Sequence, residues 1–314
     1  MLYNLTITTT INRSVLIRPY DVDICLLNFF DKGVMMLRFP LIVVIFFSLN
    51  VPLAIADHWG KPKLNGHGPW DQNISVLSLK GFSTNINRKD EILINQAGVA
   101  NLIEYKGKPR VYFQWLPTKK SLQSNFDHIA FVEFANGVWS KPEVIKIPFR
   151  KREQYPVDPT VVNLEDGSIR MYFTTRSRKG THIGSARSSD GVSFLIEEGK
   201  RFTEKHADLK DCAVILFKGK WHMILPTHKS NGKGFYATSS NGLDFARQSD
   251  VSLKVRGDWL GNMLLANDKV YFYGTGFIAS TDDFKKWDLV SNHRLQDPAV
   301  LMFEEKTIIV STTR

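Results

Sequence analysis

One phrase recurs five times along the chain, and that recurrence narrows the possible folds more than any other feature. It consists of an apolar strand, a turn carrying Gly or charge, and a second strand rich in aromatic and β-branched residues. The copies are AGVANLIEYKGKPRVYFQW from Ala97, DPTVVNLEDGSIRMYFTTR from Asp158, DCAVILFKGKWHMILPTH from Asp211, GNMLLANDKVYFYGTG from Gly261 and DPAVLMFEEKTIIVSTTR from Asp297. Alternating hydrophobicity and turn chemistry make each copy a β-hairpin.

A second phrase follows three of the hairpins: IGSARSSDGVSF from Ile183, FYATSSNGLDF from Phe235 and FIASTDDFKKW from Phe277. IAFVEFANGVWSKPEVI from Ile129 plays the same part after the first. It reads as a third strand, a tight turn and a fourth strand, with Asp190, Asn241 and Asp282 as turn residues. Composition agrees, since 21 Phe, 9 Tyr, 7 Trp, 21 Gly and 13 Pro suit many strands and turns rather than long helices. The predicted fold is all-β, a five-bladed β-propeller of four-stranded antiparallel blades over residues 96–314. The fifth copy stops at Arg314 after two strands, so ISVLSLKGF from Ile74, within residues 57–95, is expected to complete its blade. A gene truncated at its C-terminal end is the competing explanation.

Residues 35–56 have the anatomy of a secretory signal peptide. A short segment with Arg38 precedes an apolar run from Leu41 to Leu53, and Ala54 and Ala56 form an A-x-A cleavage site. Residues 1–34 do not fit such a leader and read as an over-extended start. These features predict a secreted or periplasmic protein, touching a membrane only through an uncleaved leader. Cleavage after Ala56 removes Cys25, one of the two cysteines, so no intramolecular disulfide is available and the core must hold the fold alone.

The first strand of each blade of a propeller lines the central channel, and its start opens at the same face as the loop after the second strand. That mouth should gather Gln96 from the first blade, Asp158, Asp211 and Asp297 from the second, third and fifth, and Asp258, Trp259 and Asn262 from the fourth. The loops after the second strands add Trp115 with Lys119, Arg176 with Arg178, and His228 with Lys229. Converging carboxyls are what glycoside cleavage needs, one protonated for the leaving oxygen and one ionised to activate water. Each residue also has an ordinary reading: Asp before Pro as a turn cap, Trp115 and Trp259 as interblade core, His228 as a solvated surface group, and Cys212 as a small buried hydrophobe. The spacing in HADLKD from His206 matches no standard zinc set; no metal and no cofactor are expected.

The DP-x-V blade starts, the Gly turn followed by MYF, and SSDGVSF together resemble the furanosidase-like five-bladed propellers of glycoside hydrolase families 43 and 32 and their relatives, over roughly residues 96–314. The resemblance implies an Asp base or nucleophile at the start of blade one, an orienting Asp at blade two and a Glu acid in blade three. Asp158 matches the second of these. Asp211-Cys212 resembles the Glu-Cys pair of family 32 with a shorter side chain, and Gln96-Ala97-Gly98 stands where the first Asp is expected.

The net charge of +10 favours an acidic partner. No RNA-binding signature or helix-turn-helix pattern accompanies the basic groups, so nucleic acid is not expected and an anionic polysaccharide is the natural counterpart. The sequence therefore predicts an exported, monomeric, carbohydrate-active protein. It is either a glycoside hydrolase using Asp158, Asp211 and Asp297, or a carbohydrate-binding propeller without catalysis.

Overall fold

A computed structural model describes residues 71–86, 90–116, 128–148, 156–177, 180–227 and 232–314. The leader at 35–56 and the segment before it lie outside the described residues, as do Lys119, Arg178, His228 and Lys229. The secondary structure of the described residues consists of 22 β-strands without an α-helix.

Blade I is built from β3 (Ala97–Tyr105), β4 (Lys108–Trp115), β5 (His128–Ala135) and the short β6 (Val138–Trp139) and β7 (Glu143–Val144). Blade II is β8 (Val157–Asn163), β9 (Ile169–Ser177), β10 (Gly180–Ser188) and β11 (Leu195–Phe202). Blade III comprises β12 (Ala213–Phe217), β13 (Lys220–Pro226), β14 (Lys233–Ser239), β15 (Ala246–Arg247) and β16 (Val251–Ser252). Blade IV is β17 (Asp258–Ala266), β18 (Lys269–Thr275), β19 (Phe277–Thr281) and β20 (Asp288–Asn292). Blade V joins both ends of the propeller in the order β2 (Glu91–Asn95), β1 (Asn73–Lys80), β22 (Lys306–Thr313) and β21 (Gln296–Phe303). β1 pairs with β22 at all eight positions, from Asn73 opposite Thr313 to Lys80 opposite Lys306. The expected closure by the strand at Ile74 is what the fold uses. Each inner strand neighbours the next in a cycle: β3, β8, β12, β17, β21 and back to β3.

Propeller blades stack face to face, so a central strand must be apolar on both sides rather than alternating. In β4, Val111 and Phe113 face the seam with blade V, while Tyr112 faces the seam with blade II. Five buried clusters fill the five seams. Polar latches cross three of them. The Tyr112 hydroxyl donates to the Gly191 carbonyl at 2.8 Å, Tyr172 to Gly242 at 2.7 Å and Tyr273 to Ser83 at 3.0 Å. Arg110 and Arg170 reinforce the first two, reaching the same turns while paired with Glu133 and Glu197.

The tight turns behave as their sequences predict at Asp190 and Asn241. Asp190 Oδ1 accepts from the backbone N–H groups of Val192 and Ser193 at 2.8 and 2.7 Å, and Asn241 Oδ1 from those of Leu243 and Asp244. In blade IV the accepting residue is Asp283 rather than Asp282, taking bonds from Lys285 and Lys286 N–H. Thr281 stands where the other blades have Ser188 and Ser239, and that alignment fixes which Asp folds back.

Ring closure predicts unequal costs for two isoleucines of blade V. Ile74 on β1 is fully buried in the seam between blades V and I, so Ile74→Ala should lower unfolding free energy by about 2–5 kcal/mol in a denaturant titration. Ile92 on outer β2 is 55% exposed, and Ile92→Ala should change it by less than about 0.5 kcal/mol. Equal, small effects would mean that β1 does not close the ring.

Candidate active site at the blade starts

The starts of the inner strands share a local device. In blade II the ladder between β8 and β9 shifts between Val157 and Thr160, and in blade V that between β21 and β22 shifts between Gln296 and Ala299. The first residue inside each irregularity adopts a left-handed backbone, Asp158 at φ 54° and Asp297 at φ 46°. Asp211 has φ 42° two residues before Ala213, which opens the β12 ladder opposite Ile224. Bulges bend a strand and re-aim a side chain, and Asp enters the left-handed region more readily than most residues. Three equivalent bends thus present three carboxyls from cyclically arranged inner strands.

The same register corrects the expectation for blade I. The β3 ladder shifts between Gly98 and Asn101, and the residue equivalent to Asp158 is Val99, at φ 53°. Thr312 Oγ1 accepts from the Val99 N–H at 3.4 Å, as Thr275 Oγ1 accepts from that of Asp297 at 2.9 Å. Gln96, which also has a left-handed backbone, lies three residues earlier in the β2–β3 connection, where its N–H donates to Asn73 Oδ1 and its carbonyl accepts from Leu116 N–H. In blade IV, Asn262 pairs with Tyr273 as Asn101 pairs with Tyr112, which puts Leu260 at the equivalent place. The ring of blade starts is therefore Val99, Asp158, Asp211, Leu260 and Asp297.

The three carboxyls are electrostatically coupled. Asp297 is 8% exposed, whereas Asp158 and Asp211 keep part of their surface open to solvent. Burial raises the Asp211 carboxyl well above the usual carboxylate range, and the charges of Asp158 and Asp297 push it further. Burial also raises Asp158, against the opposing influence of the polar groups of Thr174 and Asp211 and of the Lys210 charge. Asp297 is pushed up to about 7 by burial and then by the Asp158 charge. Asp211 Oδ1 is buried with no hydrogen-bond partner among the described residues. The carboxyls of Asp158 and Asp211 are both raised, as neighbouring carboxyls in a poorly solvated setting disfavour full ionisation.

The remaining expected site residues separate. Trp259 is fully buried between blades III and IV, edge-on to Phe272, Phe277 and Trp287, and its indole N–H donates to the Gly232 carbonyl at 2.8 Å. It is core and out of reach of a ligand, because the seam needs a large ring there. Asp258 and Asn262 are half-buried on β17, and Trp115 is half-buried at the end of β4, edge-on to Phe113. Arg176 falls near the end of β9, opposite Thr181. Cys212 is buried, and its carbonyl accepts the Thr160 hydroxyl. Val99 escaped the sequence reading because repeats aligned on Ala97 conceal a two-residue offset that only the ladder reveals.

A carboxyl raised on folding binds its proton more tightly in the native state, so its contribution to stability is complete below its unfolded value and fades as pH rises through the folded value. For Asp297 that window runs from the usual carboxylate range to about pH 7. Asp297→Asn should therefore raise the melting temperature more at pH 8 than at pH 4, relative to wild type. Equal shifts at both pH values would mean that folding does not raise the Asp297 carboxyl.

No protein-family model and no curated protein matches this sequence. Solved structures share its fold. One belongs to a study of family 130, mannoside phosphorylases containing glycoside hydrolases that target β-1,2 mannosidic linkages in Candida mannan; it has a TM-score of 0.51 at 12% identity, over 69% of this chain and 84% of its own. The family 32 β-fructofuranosidase of Bombyx mori has a TM-score of 0.52 at 14% identity, over 76% of this chain and 57% of its own. A thermostable family 43 glycoside hydrolase has a TM-score of 0.50 at 11% identity, over 69% and 89%. At these identities the likeness is one of architecture: the chain has the five-bladed propeller fold found in glycoside hydrolases of families 130, 32 and 43.

Proposed function

We propose that the chain is an exported glycoside hydrolase whose reacting groups are Asp158, Asp211 and Asp297. The observation that carries this reading is that three of five equivalent blade starts bear Asp, and that these buried or half-buried carboxyls are electrostatically coupled. Two carboxyls with different proton affinities are the requirement for glycosidic cleavage. Asp211, raised well above the usual carboxylate range, gives its proton to the glycosidic oxygen as the bond from that oxygen to the anomeric carbon breaks. Asp158 takes a proton from the water whose oxygen forms the new bond to that carbon, so one water is consumed and two sugar hydroxyls result. Asp297 keeps the proton on the cluster by its charge and its own high proton affinity. General acid and base contributions are each worth about 10² to 10⁴ in rate.

Val99 supports a second reading, a propeller that binds carbohydrate without cutting it, because an apolar side chain stands where three other blades offer Asp. Reducing-sugar release from a panel of polysaccharides and small glycosides separates the two. Release by the full chain that falls at least about 10²-fold in Asp158→Asn and in Asp211→Asn, with folding retained, is the outcome expected of the hydrolase. A ligand-dependent rise in melting temperature without any release would establish the binder instead.

A further inference from the structure

A groove lies between blades IV and V, beside the start of β21. Its walls are the loop Asn292–Leu295, the end of β22 at Ser311–Thr313, and Ile86 with Asp90. Thr312 joins the groove to the ring, since it pairs with Gln296 in the ladder and accepts from the Val99 N–H. The loop carrying Arg294 leads directly into Asp297, so Arg294 is at most about 11 Å along the chain from the carboxyl-bearing residue.

That loop is pinned on both sides. The Gly276 carbonyl accepts from His293 N–H at 3.1 Å, and the Leu295 carbonyl accepts from Gly276 N–H at 3.3 Å. His293 is fixed as the neutral tautomer: Nδ1 accepts from Leu295 N–H, and Nε2–H donates to the Phe277 carbonyl. Between these two anchored residues Arg294 is exposed and forms no ion pair among the described residues. Across the groove Asp90 accepts the Ser75 hydroxyl, while the Thr313 hydroxyl oxygen is buried with no hydrogen-bond partner among the described residues.

An exposed guanidinium on a loop whose backbone is pinned, lining one groove with a carboxylate and threonines, complements a ligand that carries both an anion and hydroxyls. Arg offers a fork suited to carboxylate or sulfate, and carboxylates and hydroxyls bond sugar hydroxyls. Holding the loop in advance spares the ordering cost of binding. We infer that this groove is a subsite for an acidic sugar unit of an oligosaccharide, with Arg294 on its anionic group, Asp90 on its hydroxyls, and the neighbouring unit at the Asp158–Asp211–Asp297 ring. The inference deepens the proposed carbohydrate reading and rests on it for the role of the ring.

Calorimetric titration of the full chain with tetragalacturonate, its methyl-esterified form, a sulfated tetrasaccharide and neutral cellotetraose tests this. The wild type should bind an acidic oligosaccharide at least about tenfold more tightly than both the esterified and the neutral one; whether uronate or sulfate binds better identifies the anion. Arg294→Ala should erase that preference while binding of the neutral oligosaccharide stays within about twofold, and Arg294→Lys should restore part of it, lacking the bidentate fork. No preference in the wild type, no binding of any probe, or a preference that survives Arg294→Ala would overturn the subsite. Because titration reads binding, absence of sugar release with the Arg294-dependent preference intact would count against hydrolysis alone.

Discussion

The ladder between β1 and β22 is the constraint on which the rest depends. The two strands are more than two hundred residues apart in sequence and pair over eight consecutive positions, so an entropically expensive long-range closure is completed by backbone hydrogen bonds and by burial in two seams at once. Without it, blade V would have two strands and an open edge, the arrangement most prone to mispairing. With it, the five inner strands form a cycle, and residues from blades II, III and V meet as one group. The grouping of the three aspartates is thus a consequence of how the ends of the propeller are joined.

Within the ring, two kinds of cost are concentrated in the same place. The left-handed backbone at Asp158, Asp211, Asp297 and Val99 is rarely adopted by side-chain-bearing residues, and for β-branched Val it is a distinct outlier. The three carboxyls are also kept together in a poorly solvated setting where full ionisation is disfavoured. Interblade clusters and the tyrosine latches hold the blades rigid enough to sustain both costs. Strain and charge coupling concentrated at one set of blade starts, supported by a stiff frame, are typical of sites that perform chemistry.

Much of this was legible in the residues. The fivefold phrase gave the blade count, and the alternating pattern from Ile74 gave the closing strand, because hydrophobic periodicity and turn chemistry are local and repeat in register with the structure. Asp158, Asp211 and Asp297 were legible as equivalent starts for the same reason. Two things were not. Val99 was hidden because the recurring phrase in blade I opens at Ala97, two residues before the position that matches Asp158, and only the ladder register reveals that offset. Trp259 was ambiguous because a large aromatic at a strand start serves a sugar or a seam equally well, and only its full burial among Phe272, Phe277 and Trp287 decides for the seam. In the blade IV turn the accepting residue is Asp283, which becomes clear once Thr281 is aligned with Ser188 and Ser239.

The central claim is that the three aspartates titrate as one coupled group. Carbon-detected NMR titration of aspartate-labelled protein, comparing wild type with Asp158→Asn, tests it most directly. The account predicts that removing the Asp158 charge lowers the titration midpoints of both Asp211 and Asp297, the latter from about 7 in the wild type. Midpoints for Asp211 and Asp297 that stay where they are in the wild type would show that the carboxyls do not sense one another, and would contradict the account.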